Sequence, residues 1–118
     1  MHCTLNKVGH ALKRVGLEDL RMNVLRQLKC QLRDKEDFLA KLISDRLVAS
    51  LNLKTYTQMR MKTSSKELVA SLEAHIREEQ SKIFIGNQLI ADTNSQLREL
   101  KQEISDRSQE LIASRNSY

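Results

Sequence analysis

From Val69 to Ser114 the sequence repeats at steps of three and four residues, through Val69, Leu72, Ile76, Glu79, Ile83, Gly86, Ile90, Thr93, Leu97, Leu100, Ile104, Arg107, Leu111 and Ser114. This is the heptad spacing of a coiled-coil seam, with polar interruptions. The a positions, Val69, Ile76, Ile83, Ile90, Leu97, Ile104 and Leu111, are all apolar, whereas the d positions offer only Leu72 and Leu100 as full-sized anchors. A single helix in water would leave such a stripe exposed, so the stretch needs a partner helix.

Little in the chain interrupts a helix. It has no proline and three glycines, Gly9, Gly16 and Gly86, and each glycine costs a helix interior about 1 kcal/mol relative to alanine. Aromatic residues make up only 3% of the 118 residues, too few for the usual compact core, so elongated helix is the expected form. The predicted fold class is all-α: an elongated coiled coil, preceded by a short N-terminal amphipathic helix.

A second seam precedes the first, running through Leu25, Leu28, Leu32, Lys35, Leu39, Leu42, Arg46, Ala49, Leu53 and Tyr56. Phe38 and Ile43 flank it, and Leu47, Val48 and Leu51 widen it, so the apolar face there is broader than a two-stranded coil requires. Carried onward, this register places Arg60, Thr63 and Glu67 on the seam, whereas the later register starts at Val69, two residues out of phase. The slip falls at Lys62-Thr63-Ser64-Ser65-Lys66-Glu67, where Ser64 and Glu67 have the spacing of a capping box. Two architectures fit: one helix running on through a register shift, or an antiparallel helical hairpin. The absence of Gly, Pro and Asn at the break favours the continuous or gently bent helix.

The expected organisation is a basic amphipathic segment at 1–16, a first coiled-coil helix at 17–61, a break or turn at 62–66, a second coiled-coil segment at 67–114 and a frayed tail at 115–118. Within 1–16, Leu5, Val8, Leu12 and Val15 form a stripe with Lys7, Lys13 and Arg14 off it. Such a segment can serve as a loosely held end helix, an interfacial helix or an import presequence. Ion pairs are expected at i,i+4 between Arg33, Asp37 and Lys41, and in Glu73–Arg77, Glu78–Lys82 and Glu103–Arg107; Glu110 and Arg115 are the one clear g-to-e pair.

Three groups of residues are candidates for function. The coiled-coil interface is expected at Leu25, Leu28, Leu32, Leu39, Leu42, Leu53, Val69, Leu72, Ile76, Ile83, Ile90, Leu97, Leu100, Ile104 and Leu111. Phe84, Ile85 and Leu89 form a candidate docking patch, because Phe84 and Ile85 lie off the seam and need either a bundle core or another protein to cover them. A basic face comprises Lys7, Lys13, Arg14, Arg21, Arg26, Lys29 and Arg33; residues 1–33 carry these seven cations against Glu18 and Asp19, which matches the net charge of +5 for the whole chain. A second stretch without acids, from Arg46 to Lys66, adds Lys54, Arg60 and Lys62.

Chemistry is not indicated. His2, Cys3, His10 and Cys30 lack the paired spacings that fix two metal ligands on one local scaffold. No glycine-rich phosphate loop or nucleophile elbow occurs, and rod-like helices offer no cleft where a nucleophile and base converge. No enzymatic activity, metal or cofactor is therefore expected. Cys3 and Cys30 form no disulfide framework, which favours a reducing compartment, and no apolar run is long enough to span a bilayer.

These features lead to the expectation of a non-enzymatic coiled-coil scaffold or subunit, mediating protein–protein association as a homo- or hetero-oligomer in an intracellular, cytoplasmic assembly of cytoskeletal or centrosomal type. The alternative is a basic binder of nucleic acid, anionic membrane or an acidic protein surface through residues 1–33, with nucleus and mitochondrion as other settings. Neither interleaved aromatics nor a base-reading motif accompanies those cations.

Overall fold

The computed structural model describes residues 16–116. Nearly all of them lie in two helices, α1 at Leu17–Lys62 and α2 at Lys66–Asn116, of 46 and 51 residues. The expected N-terminal amphipathic segment, apart from Gly16, lies outside the described residues, as do Ser117 and Tyr118. Arg115 and Asn116, expected in the tail, continue α2.

The ends of the helices follow from their local chemistry. At the start of α1 the Gly16 carbonyl accepts the Leu20 N–H at 3.2 Å, and Glu18 and Asp19 occupy the first turn, where negative charge meets the unsatisfied N–H groups of a helix N-terminus. Arg60 and Lys62 sit in its last turn, the favoured place for cations. Ser65 caps α2: its Oγ accepts the Leu68 N–H at 3.4 Å and its carbonyl accepts the Val69 N–H at 2.9 Å. The capping pair expected at Ser64 and Glu67 is thus displaced by one residue. The third helical position belongs to Leu68, which has no carboxylate to return the bond.

At this break the chain folds back, so the hairpin forms and the continuous helix does not. The two-residue phase slip gives the reason. At about 100° per residue it rotates one apolar stripe by about 200° relative to the other, so a straight helix would carry its two seams on opposite sides. In a hairpin each helix keeps its own register, and both seams find apolar surface.

The paired helices divide into two units by their contacts. In the first, residues 17–38 of α1 meet residues 94–116 of α2. Arg115 pairs with Glu18 and also reaches the Met22 sulfur at 3.6 Å, while Lys35 Nζ donates to Gln96 Oε1 at 2.8 Å. Leu28, Leu97, Leu100 and Leu111 are buried in this unit, with Leu25, Leu32 and Ile104 half-buried beside them.

The second unit comprises residues 39–93. Here Arg60 pairs with Glu73 at 2.8 Å, Arg46 Nη1 donates to Asn87 Oδ1 at 2.9 Å, and the rings of Tyr56 and His75 stack with centroids 5.1 Å apart. Ala49, Leu72 and Ile90 are buried together with Glu79 and Thr93; Leu39, Leu42, Leu53, Val69, Ile76 and Ile83 are half-buried. In each unit the partner number falls on one helix as it rises on the other, so the pairing is antiparallel.

The core of each unit is one seam. Among the described residues none of the large side chains falls below 2% exposure, because two helices alone cannot surround a residue. Glu78–Lys82 and Glu103–Arg107 form along α2 at 3.6 and 3.3 Å, as the i,i+4 spacing predicts. Glu73 and Arg115, by contrast, turn to Arg60 and Glu18 on the other helix rather than to Arg77 and Glu110. Cys30 is half-buried. No described helix is long and apolar enough to cross a membrane.

Candidate docking groove

Beside the seam of the 39–93 unit runs a second, shorter stripe. On α1, Asp45, Val48 and Asn52 follow one another at helical spacing along one side of the seam residues Leu42 and Ala49; on α2, Lys82, Ile85 and Leu89 do the same beside Glu79 and Gly86. These residues, with Arg46, line an open groove of about 460 Å³. It extends over eleven residues of each helix, roughly 15 Å at the α-helical rise. Its walls are apolar at Val48, Ile85 and Leu89, and its rims carry Asp45 and Lys82.

Glu79 is the unusual member of this groove. It occupies a seam position and is only 5% exposed. Its Oε1 accepts from Lys82 Nζ at 3.1 Å, whereas its Oε2 is buried with no hydrogen-bond partner. An ionised oxygen removed from water without a donor is costly, of order 1–3 kcal/mol or more, so the position is not explained by packing. Lys82 stays at the surface, and its pKa is raised above 10.5, first by the hydrogen bond to Glu79 and then by that carboxylate's charge; Glu78 adds to the effect and desolvation opposes it.

Two other interruptions of the α2 seam are accommodated locally. Thr93 is buried, but its hydroxyl donates to the Leu89 carbonyl at 2.7 Å, which satisfies it within its own helix. Gly86 faces Arg46, and a Cβ built at Gly86 would lie 3.8 Å from Arg46 Cβ. That is an ordinary van der Waals distance, so close approach of the backbones does not demand glycine here.

The expected interface residues all lie buried or half-buried on the facing sides of α1 and α2, so the paired helices of one chain bring them together. The expected docking patch is divided. Ile85 and Leu89 line the groove, but Phe84 does not, because consecutive helical residues point about 100° apart. Phe84 falls on the other side of the seam, at a level matched by Leu47 of the antiparallel α1; both remain largely exposed, at 63% and 60%. Asp45, Asn52, Glu79 and Lys82 were not singled out as site residues by sequence reasoning. The repeat at Lys82, Ile85 and Leu89, one step away from the seam, is the signal that could have found them.

Of the expected basic face, Lys7, Lys13 and Arg14 lie outside the described residues. Arg26, Lys29 and Arg33 are exposed and fall within about 60° of one another around α1, with Arg26 donating to Asn23 Oδ1 at 3.5 Å; Arg21 is half-buried and points elsewhere. Among the described residues no group of three or more His, Cys, Asp or Glu side chains is placed to hold a metal ion. No family model, curated protein or solved structure matches the chain, so its function must be read from the helix pairing, the groove and the buried carboxylate.

Proposed function

We propose that the chain is a non-enzymatic coiled-coil scaffold or subunit that joins other proteins by helix-to-helix association within a larger intracellular assembly. The observation that carries this reading is the apolar surface left on both sides of the seam in the 39–93 unit. Val48 and Ile85 are each 52% exposed on the groove side, and Leu47 and Phe84 are more so on the other. Isolated apolar side chains at a surface are ordinary, but matched pairs from two helices on each side of a thin core are what a further helix covers. Cytoskeletal or centrosomal assemblies are the settings in which we place such a subunit.

Sedimentation of the full chain, together with proximity labelling in its native cell, tests the reading. A variant with Leu47, Val48, Phe84 and Ile85 changed to Lys should keep its helical circular dichroism and lose its labelled neighbours. A chain that stays monomeric and whose neighbours are the same with and without these changes is not a scaffold of this kind.

A second reading rests on the shared face of Arg26, Lys29 and Arg33, which suits an acidic protein surface, a nucleic-acid backbone or an anionic membrane. Binding through it should weaken as salt rises, since the screening length shrinks from about 10 Å at 0.1 M to about 3 Å at 1 M. Replacing Arg26, Lys29 and Arg33 with Gln should weaken it too; binding indifferent to both changes leaves the face merely solvated.

A further inference from the structure

The groove holds two features that belong together in a recognition site. It has apolar walls, and among its lining residues is Glu79, whose Oε2 is buried and without a donor. We propose that the groove is the docking site for an amphipathic partner helix that presents a central arginine or lysine to Glu79, flanked one turn away on either side by apolar residues. The inference rests on the association reading and adds to it the chemistry of one partner.

Three observations select this occupant. First, Oε2 lacks a hydrogen-bond donor while Oε1 is already taken by Lys82, so the missing group is a donor, and for a carboxylate the strongest donors are cationic. Second, Val48 and Ile85 line the same groove as Glu79 and would cover the methylene stem of a long basic side chain whose head turns to the carboxylate. A short polar donor such as serine would leave those walls uncovered. Third, the groove runs along two antiparallel helices for roughly 15 Å, about three helical turns, and a third helix laid there would pack ridge into groove against both. Arginine suits the position better than lysine, because its planar fork reaches a carboxylate with more than one N–H.

The roles within the site are distinct. Glu79 sets the sign of the partner charge, and Lys82 holds one of its oxygens while the other has no donor. Val48, Ile85 and Leu89 supply contact area. Asp45 at the rim favours a basic partner side chain as well, whereas Arg46 turns its guanidinium to Asn87.

The test uses the full chain and three fluorescein-labelled, lactam-stapled helices built of Ala, Gln and Leu. Each carries Leu one turn before and after a central residue, which is Arg, Leu or Glu. Fluorescence anisotropy should rank them Arg, then Leu, then Glu, with the Arg helix bound about tenfold more tightly than the Leu helix, the ratio given by 1.4 kcal/mol. Glu79→Gln should remove that preference, and Glu79→Leu should invert it, with circular dichroism showing both folded. Val48→Lys with Ile85→Lys is the second variant; both positions are more than half exposed, so folding is not at risk, and it should abolish binding of the Arg helix.

Equal affinity for the Arg and Leu helices, or an Arg preference that survives Glu79→Gln, overturns the proposal. So does failure of all three helices to bind. If the chain self-associates and the Arg helix cannot compete, a second copy fills the groove and the proposal is likewise overturned. In each of these cases the association reading stands or falls separately, on the sedimentation and labelling of the full chain.

Discussion

Replacing Glu79 with leucine should make the protein more stable, an unusual expectation for a buried charged residue that already has an ion-pair partner. The magnitude follows from three opposed contributions. Relieving the unpartnered Oε2 recovers about 1–3 kcal/mol, and a leucine at a seam position gains about 1.5–3 kcal/mol on burial. Against these stands the lost pair with Lys82, whose side chain is 55% exposed; such a pair contributes no more than about 1 kcal/mol. The seam is one layer deep and leaves every side chain an edge to water, so the lower halves of these ranges apply, and the net gain is about 2 kcal/mol. For a chain of this size that raises Tm by about 8 °C. Thermal melts followed by circular dichroism at several protein concentrations measure it, since a concentration-dependent Tm reveals coupled association. Glu79→Gln is the control: it keeps a buried polar group and should gain little. An unchanged or lower Tm for Glu79→Leu would show that Oε2 is satisfied in solution, and the reasoning built on its isolation would fail.

Further outcomes follow from the same geometry. Leu97 is 5% exposed and Ile112 is 56% exposed on the same helix, so Leu97→Ala should cost about 2–3 kcal/mol and Ile112→Ala no more than about 0.5 kcal/mol; equal shifts in a urea melt would contradict the seam. Ser65→Ala should cost about 1 kcal/mol as the loss of a helix cap, whereas Ser64→Ala should be silent, and the reverse order would restore the capping register expected from sequence. Lys82 has a raised pKa, so the stability it contributes is complete below its ordinary 10.5 and fades as pH climbs through the raised value. Relative to Lys82→Met, the native chain should therefore lose stability more steeply on the alkaline side, and parallel pH profiles would refute the coupling to Glu79.

Much of this architecture is legible in the sequence because a heptad stripe and a helix break are local signals. The seams, from Leu25 to Tyr56 and from Val69 to Ser114, describe the buried sides of α1 and α2, and the break near 62–66 falls where the chain turns. The choice between running on and folding back is less legible. Thr63, Ser64 and Ser65 are compatible with both, and only the 200° offset between the two stripes argues for reversal. Ser64 and Ser65 are chemically identical, so the cap is identified only by the hydrogen bond that one of them makes. Glu73 could reach Arg77 along its own helix, but the hairpin brings Arg60 to it, a competition that sequence spacing cannot judge. Phe84 and Ile85 look like one patch on paper; the facing helix separates them, since it defines which side of the seam each occupies.

The order of residues around the turn also constrains how the hairpin assembles. Each helix-to-helix contact joins an earlier position of α1 to a later one of α2, so sequence separation grows steadily away from the turn, reaching 97 residues at Glu18 and Arg115. Closing contacts near the turn costs the least loop entropy, so zipping should begin with Leu53, Tyr56, Leu72 and Ile76. Next it must cross the stretch where Glu79, Gly86 and Thr93 interrupt the α2 seam and Arg46 interrupts that of α1. Only afterward does it reach the leucines at 97, 100 and 111. The strongest anchors thus form last, after the weakest segment, which places their contribution late on the folding route. Substitutions at Leu97 or Leu111 should then speed unfolding far more than they slow folding, making these late contacts the clasp that sets how long the closed form persists.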